Sequence, residues 1–320
     1  MTSDQAVAVL RAAAEPTRLR ILALLAREEL AVLELCRILG QSQPRVSRHL
    51  KLLAEAGLVE RFPDGAWVFY RLTATEARAL VDQTLALVSP DDPIFASDAE
   101  RLTGVSEERG AQAAAYFAEN AERWDEMRSL HTAEAAVEAA ILDAAGEGPF
   151  QRIVDLGSGT GRMLTLLGNR ARSAIGLDLS RQMLNIARSH VADAGLGACE
   201  LRHGDILGTG LPDGCADLVV VHQVLHYLAD PASAAAEAAR LVAPGGKLLI
   251  VDFAPHELEF LRAEHRHRRL GFFDSEIERW LAAAGLSALS VRSLPPAAHG
   301  GLTVKIWSAS RDAGRVRLIA

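Results

Sequence analysis

Two periodicities divide the chain. In the first 90 residues apolar positions recur at helical spacing. Val32 to Leu39 is a short helical pattern closed by Gly40, and in the next stretch Val46, Leu50 and Leu53 fall on one face at about 100° per residue. Ser89-Pro90-Asp91-Asp92-Pro93, with two prolines and two acids, reads as a boundary. Ala-rich helical patterns follow from about Asp98 to Ala145. From Arg152 onward the period changes. Short apolar or β-branched runs, Arg152 to Leu156, Ser173 to Asp178, Cys199 to His203, Asp217 to His222 and Lys247 to Phe253, alternate with helical stretches. That alternation predicts βαβ units and a parallel sheet. Two late runs, Ala288 to Leu294 and Leu302 to Ser308, flank a Pro- and Gly-containing loop and are expected to pair as an antiparallel hairpin.

The polar positions give the first region its chemistry. Ser42 is placed to cap free amides, and Pro44 lies in the first turn of the next helix, where a missing N–H costs little. Opposite the Val46, Leu50 and Leu53 face stand Pro44, Ser47, Arg48, Lys51 and Glu55, so two cations and a hydroxyl line the exposed stripe. Glu60-Arg61-Phe62, a Pro63-to-Ala66 turn and Trp67 to Leu72 read as strand, turn, strand: a β-wing. This is a helix-turn-helix with a wing. Its candidate contacts to double-stranded DNA are Gln41, Ser42, Gln43, Arg45, Ser47, Arg48, Lys51, Arg61 and Trp67, cations on phosphates and the early helix positions on base edges.

These residues resemble the ArsR/SmtB winged-helix regulators, through Ala14-Glu15-Pro16-Thr17-Arg18-Leu19-Arg20-Ile21-Leu22, Glu34-Leu35-Cys36 and Val46-Ser47-Arg48-His49-Leu50-Lys51-Leu52-Leu53, over roughly residues 5 to 85. The resemblance implies a homodimer that reads a palindromic operator and responds to an inducer. Many such regulators sense thiophilic metals through a cysteine pair in the Glu-Leu-Cys helix. Here Arg37 and Ile38 follow Cys36, so the second thiolate is missing, and the expectation is no metal.

Composition bounds the whole. With 320 residues the chain has room for about two domains, and its 49% hydrophobic and 23% charged content excludes wholly disordered, collagen-like and disulfide-scaffold classes. The longest uncharged apolar stretch, Leu218 to Ala229, is 12 residues and too short to span a bilayer. The first residues show neither a basic start nor a long apolar segment, so no secretory signal is expected, and three spaced cysteines, Cys36, Cys199 and Cys215, suit a reducing cytoplasm. The formal charge of −7 discourages a nucleic-acid partner until it is divided. Residues 1 to 90 carry 11 basic and 10 acidic groups, the remainder 23 against 31. A basic segment from Arg37 to Arg61 thus sits inside an acidic chain.

In the second region Ile153-Val154-Asp155-Leu156 runs into Gly157-Ser158-Gly159-Thr160-Gly161, and a helix is expected from Arg162. The spacing is GxGxG, and Arg162 stands where a dinucleotide fingerprint needs its last glycine. Glycines admit a ligand close to the backbone, and the helix N-terminus supplies amides and a positive dipole for a carboxylate or phosphate. Asp178, 23 residues beyond Asp155, ends the second strand where an acid can accept ribose hydroxyls, and Gly204-Asp205-Ile206 ends the third. In order and each at a strand's carboxyl end, these predict a nucleoside site with an amino-acid-like tail at the glycine loop.

The same residues, with Val224-Leu225-His226-Tyr227 and Leu241-Val242-Ala243-Pro244-Gly245-Gly246, resemble the class I S-adenosylmethionine-dependent methyltransferases over roughly residues 110 to 310. The resemblance implies a Rossmann-like seven-stranded sheet with the last strand antiparallel. It implies Asp155 and the glycines about the methionine moiety, Asp178 on the ribose, Leu179 and Met183 beside the adenine, Asp205 and Ile206 near its edge, and His222 close to the sulfur. Catalytic residues stay open, with His222 and His226 as candidates whose i,i+4 spacing would put them on one helical face. Tyr116, Trp124 and Arg128, on a helix before the sheet, are expected to cover the pocket. Helix packing is as good a reading for Phe117 and Met127. The run Glu264 to Phe272 would hold an anionic acceptor or, the favoured reading, form a solvated face before a helix capped by Ser275 and Glu278.

Together these predict a winged helix at residues 1–90, a helical linker and lid at 91–147 and a methyltransferase-like unit at 148–320. The expectation is a transcriptional regulator that binds S-adenosylhomocysteine or S-adenosylmethionine as effector, resembling ArsR-type regulators that control methionine-cycle genes. The alternatives are a small-molecule methyltransferase with an accessory winged helix, or a winged helix that contacts protein and not DNA.

Overall fold

A computed structural model describes residues 2–64, 67–73, 76–89, 91–121, 134–296 and 301–313. It separates into two compact units, residues 1–112 and 113–320.

The first unit holds helices α1 (Ser3–Ala13), α2 (Pro16–Leu25), α3 (Val32–Leu39), α4 (Gln43–Glu55) and α5 (Glu76–Ala86), and the start of α6 (Pro93–Asn120). A three-stranded antiparallel sheet, order β1-β3-β2, is made by β1 (Leu30–Ala31), β2 (Val59–Asp64) and β3 (Trp67–Leu72). The helical periodicity explains the core: Ile21, Leu22, Leu35, Ile38, Val46, Leu50 and Leu53 are all fully buried, one stripe from each of α2, α3 and α4. Gly40 ends α3 in the left-handed region, φ 65°, where its amide bonds back to Cys36 and frees the chain to turn into α4. Ser42 occupies the N-cap of α4 through its backbone. Its carbonyl accepts from Arg45 and Val46, and its side chain makes no capping bond, contrary to expectation. The bidentate Arg20–Asp98 pair fastens α6 to the core.

The second unit is a seven-stranded sheet in the order β6-β5-β4-β7-β8-β10-β9. Its strands are β4 (Phe150–Leu156), β5 (Ala171–Asp178), β6 (Cys199–His203), β7 (Ala216–His222), β8 (Val242–Phe253), β9 (Ser287–Leu294) and β10 (Val304–Ser310). Pairings among β4 to β8 are parallel, and β10 runs antiparallel to both β8 and β9, as the late hairpin predicted. Successive side chains on a strand point to opposite faces, so a strand buried on both sides needs apolar residues throughout. Val154, Val219, Val221, Leu248 and Ile250 pack on one side, against Ala234, Ala238, Ile277 and Leu281. Ile153, Leu218, Val220, Leu249 and Val251 pack on the other, against Val137, Ile141 and Leu164. The helix Asp274–Ala283 starts from a capping box in which Glu276 reaches the Phe273 amide, so Glu276 caps it and not Ser275. No helix among the described residues is long and apolar enough to cross a membrane.

Candidate functional site

In the first unit α4 turns Gln43, Arg45, Arg48 and Lys51 to solvent, with Ser42 exposed and Ser47 half-buried beside them. Lys51 lies 3.8 Å from Glu55 across one turn, an exposed pair that holds the cation only loosely. Arg61 is exposed on β2. Trp67 opens β3, and its side chain lies outside the described residues. Gln41 differs from the others: half-buried, it donates to Thr17 Oγ1 at 3.4 Å and so serves the turn from within. Behind α4, His49 is 3.4 Å from Glu15, the residue that caps α2 by accepting from the Arg18 amide at 2.8 Å. Burial pushes the Glu15 carboxyl up, but amide bonds from Arg18 and Thr17 and the nearby His49 outweigh it, and its pKa is lowered.

In the second unit β4 delivers Asp155, almost fully buried, to the loop Gly157–Gly161. Gly157 has φ 73°, and a Cβ there would lie 2.5 Å from Val224 Cγ2, so the loop closes against the segment after β7 only if this residue is glycine. Ser158 and Thr160 are buried. A Cβ on Gly176 would come within 3.0 Å of Ser158 Oγ, so this hydroxyl is turned to β5. Asp178 ends β5 and accepts from Gly159 N at 2.8 Å and Ser180 N at 2.7 Å. Burial nonetheless dominates and raises its pKa, with the amide bonds and His203 offsetting part of the rise. Beside it Leu179 is 57% exposed, while Met183 and Ile206 are buried. Gly204 donates to Asp178 O, and exposed Asp205 accepts from Leu207 N at 2.9 Å. The glycine loop follows β4, Asp178 and the exposed Leu179 lie at the end of β5, and Asp205 follows β6, so the three lie at the carboxyl ends of neighbouring strands. This donor set fits a nucleoside carrying a charged tail.

The histidine candidates are not on one helical face. His222 is half-buried at the end of β7. Gln223 then takes φ 54°, and His226 falls in the short 3-10 turn Leu225–Tyr227. His226 is 1% exposed, with Nδ1 2.7 Å from Asp252 Oδ1 near the end of β8. The lid stretch is described as far as Ala121: the Tyr116 hydroxyl lies 2.8 Å from His265 Nδ1, and Phe117 packs edge-on against Tyr227, 4.8 Å between ring centroids. Trp124 and Arg128 lie outside the described residues. The expected solvated face at 264–272 is largely buried instead. The His267 ring lies tilted against that of His226, 4.2 Å between centroids, and Arg269 is paired with Glu276 at 3.1 Å. Asp252 escaped sequence reasoning, although a single acid closing the apolar run Leu248 to Phe253 was its signal. Among the described residues no group of three or more His, Cys, Asp or Glu could hold a metal ion.

Fold and site define the class: a winged helix-turn-helix joined to a class I methyltransferase fold. The particular families agree. Residues 15–61 match the model of bacterial regulatory proteins of the arsR family, and residues 154–250 match that of a methyltransferase domain. The chain therefore carries an ArsR-family helix-turn-helix and, separately, a methyltransferase domain. The arsenical resistance operon repressor of Escherichia coli is 52% identical over 61 residues, 19% of this chain and 52% of the repressor. An uncharacterized 37.1 kDa protein in transposon TN4556 of Streptomyces fradiae is 34% identical over 184 residues, 52% of each chain. A demethylmenaquinone methyltransferase of Thermus thermophilus is 35% identical over 145 residues, 43% of this chain and 64% of that one. The chain thus spans about half to two-thirds of the length of these relatives. Among solved structures, a SAM-dependent methyltransferase of Thermotoga maritima superposes with a TM-score of 0.51 at 20% identity, over 62% of this chain and 100% of that one, a likeness of fold.

Proposed function

We propose that the chain is a DNA-binding transcriptional regulator whose second unit binds S-adenosylhomocysteine or S-adenosylmethionine as effector. The observation that carries this reading is the succession of glycine loop, Asp178 and exposed Leu179 at adjacent strand ends, in one chain with an α4 that exposes Arg45, Arg48 and Lys51. Asp155 and the loop amides would hold the amino-acid tail, Asp178 the ribose, and Leu179, Met183, Asp205 and Ile206 the adenine. S-adenosylmethionine, when bound, brings a methyl group on an already activated sulfonium. A ligand moves operator affinity only by binding the DNA-competent and DNA-incompetent states unequally. Control of methionine-cycle genes is the role this reading favours, in the cytoplasm. Val7 and Leu10 of α1, 45% and 48% exposed, favour burial against a second copy, so the DNA reader is a homodimer on this reading.

Calorimetry of the full chain with each nucleoside is the test. Binding of either supports the reading, and its absence for both removes it. One observation favours a second reading, a small-molecule methyltransferase with an accessory winged helix: the buried Asp252–His226 pair beside the glycine loop.

A further inference from the structure

Around His226 the second unit spends unusual local structure. Gln223, left-handed at φ 54°, turns the chain off β7, with its amide bonded to Val251 O at 2.7 Å. Val224 then packs against Gly157 of the glycine loop, which brings the turn carrying His226 alongside that loop. Asp252 is fully buried and uses Oδ1 for both His226 Nδ1 and the Phe253 amide, fixing the imidazole's tautomer and direction. The amides of Arg268 and Arg269 both donate to His226 O, at 2.8 and 3.0 Å, so a second loop is laid over the same residue. Left-handed non-glycine residues cost energy and persist where the surroundings hold them.

The other imidazole edge is the informative one. His226 Nε2 is buried with no hydrogen-bond partner among the described residues, and so is His267 Nδ1 on the ring 4.2 Å away. A buried polar nitrogen without a partner costs about 1–3 kcal/mol, which a purely structural residue would avoid. The surroundings are aromatic. Tyr227, Phe253 and His267 border His226, and Phe117 and Tyr116 extend the cluster through Tyr227 and His265. Of the charged groups around them, Arg262 and Arg269 face Glu259 and Glu276, Arg266 lies near enough to act on the Tyr116 hydroxyl, and burial holds His267 well below its usual pKa and therefore neutral.

We propose that the Asp252–His226 pair is a general base for a neutral aromatic hydroxyl compound, a phenol or enol, bound among Tyr116, Phe117, Tyr227 and His267 next to the nucleoside site. The acceptor's proton passes to His226 Nε2. The freed oxygen lone pair forms the bond to the methyl carbon, as the carbon–sulfur bond of the sulfonium breaks and its electron pair returns to sulfur. His226 is the catalytic residue and Asp252 a positioning residue that also stabilises the imidazolium. This inference goes beyond the regulator and rests on the nucleoside site assigned to the same unit.

The test needs no natural acceptor. The full chain is saturated with S-adenosylhomocysteine, confirmed by calorimetry, and titrated with 4-nitrophenol while the phenolate absorbance is followed against pH. The expected result is a bound phenol that ionises at least one pH unit below the free compound. His226→Gln should bind it neutral, Asp252→Asn should lose most of the shift, and Asp252→Glu should recover part. Circular dichroism identifies a variant that fails to fold, and the wild-type titration then decides alone. No binding of 4-nitrophenol to the nucleoside-loaded chain, or an unshifted ionisation in it, overturns the proposal, as does a full shift in folded His226→Gln. Absent S-adenosylhomocysteine binding would instead remove the nucleoside reading.

Discussion

At the scale of single residues, burial decides what a polar group does. His267 is held neutral inside the second unit, by burial first and then by His226, His256 and His265 around it. Its folded pKa lies below the unfolded value of about 6.5, so the unfolded chain binds the extra proton and stability falls as pH drops through about 6.5. Thermal unfolding should show a lower Tm at pH 5.5 than at pH 7.5. His267→Gln should flatten that slope, and an unchanged slope would contradict the assignment. Asp178 has the opposite sense for an acid, its pKa raised by burial. If Asp178 takes ribose hydroxyls as proposed, they donate to its carboxylate, so nucleoside affinity should fall as pH drops through the raised value, and Asp178→Ala should weaken binding by about 1.5–3 kcal/mol, measured by calorimetry. Gly157→Ala would force a Cβ to within 2.5 Å of Val224 at a positive φ. Its expected cost is about 1–3 kcal/mol in chemical denaturation, with loss of nucleoside binding.

At the scale of elements, sequence patterns carried far where the contacts that matter are local. The α3–Gly40–α4 turn, the parallel strands and the glycine loop were legible because helical and strand periodicities and the left-handed glycines are written in neighbouring residues. His226 was misread as part of a helix because its spacing from His222 suits one. The strand end and the left-handed Gln223 that break the helix depend on Val251 of β8, far along the chain. Asp252 was illegible as a partner of His226 for the same reason, since strand order β4-β7-β8 brings together what the sequence keeps apart, and His267 reaches His226 from a loop whose next two amides, of Arg268 and Arg269, bond its carbonyl. The polar run 264–272 looked solvated by composition, yet the Arg269–Glu276 pair allows it to be buried. For α4, the prediction is double replacement of Arg48 and Lys51 by Ala: weaker DNA binding with a salt dependence shallower by about two units of log–log slope, if each neutralises one phosphate. Fluorescence anisotropy across a salt series measures it, and an unchanged slope would favour a protein-contacting winged helix.

At the scale of the molecule, the acidic whole conceals a basic segment. The formal −7 is carried by the remainder of the chain, 23 basic against 31 acidic groups, while the first 90 residues are near balance and α4 displays Arg45, Arg48 and Lys51. An ArsR-family helix-turn-helix in one chain with a methyltransferase domain makes sense as a regulator if the nucleoside that fills one unit alters what the other does. The most direct measurement selects DNA fragments from a random pool with the full chain, then determines their affinity alone and with saturating S-adenosylhomocysteine or S-adenosylmethionine. A change of about fivefold or more with at least one of the two is the predicted result, corresponding to about 1 kcal/mol of coupling. Tight nucleoside binding with unaltered DNA affinity would contradict the account.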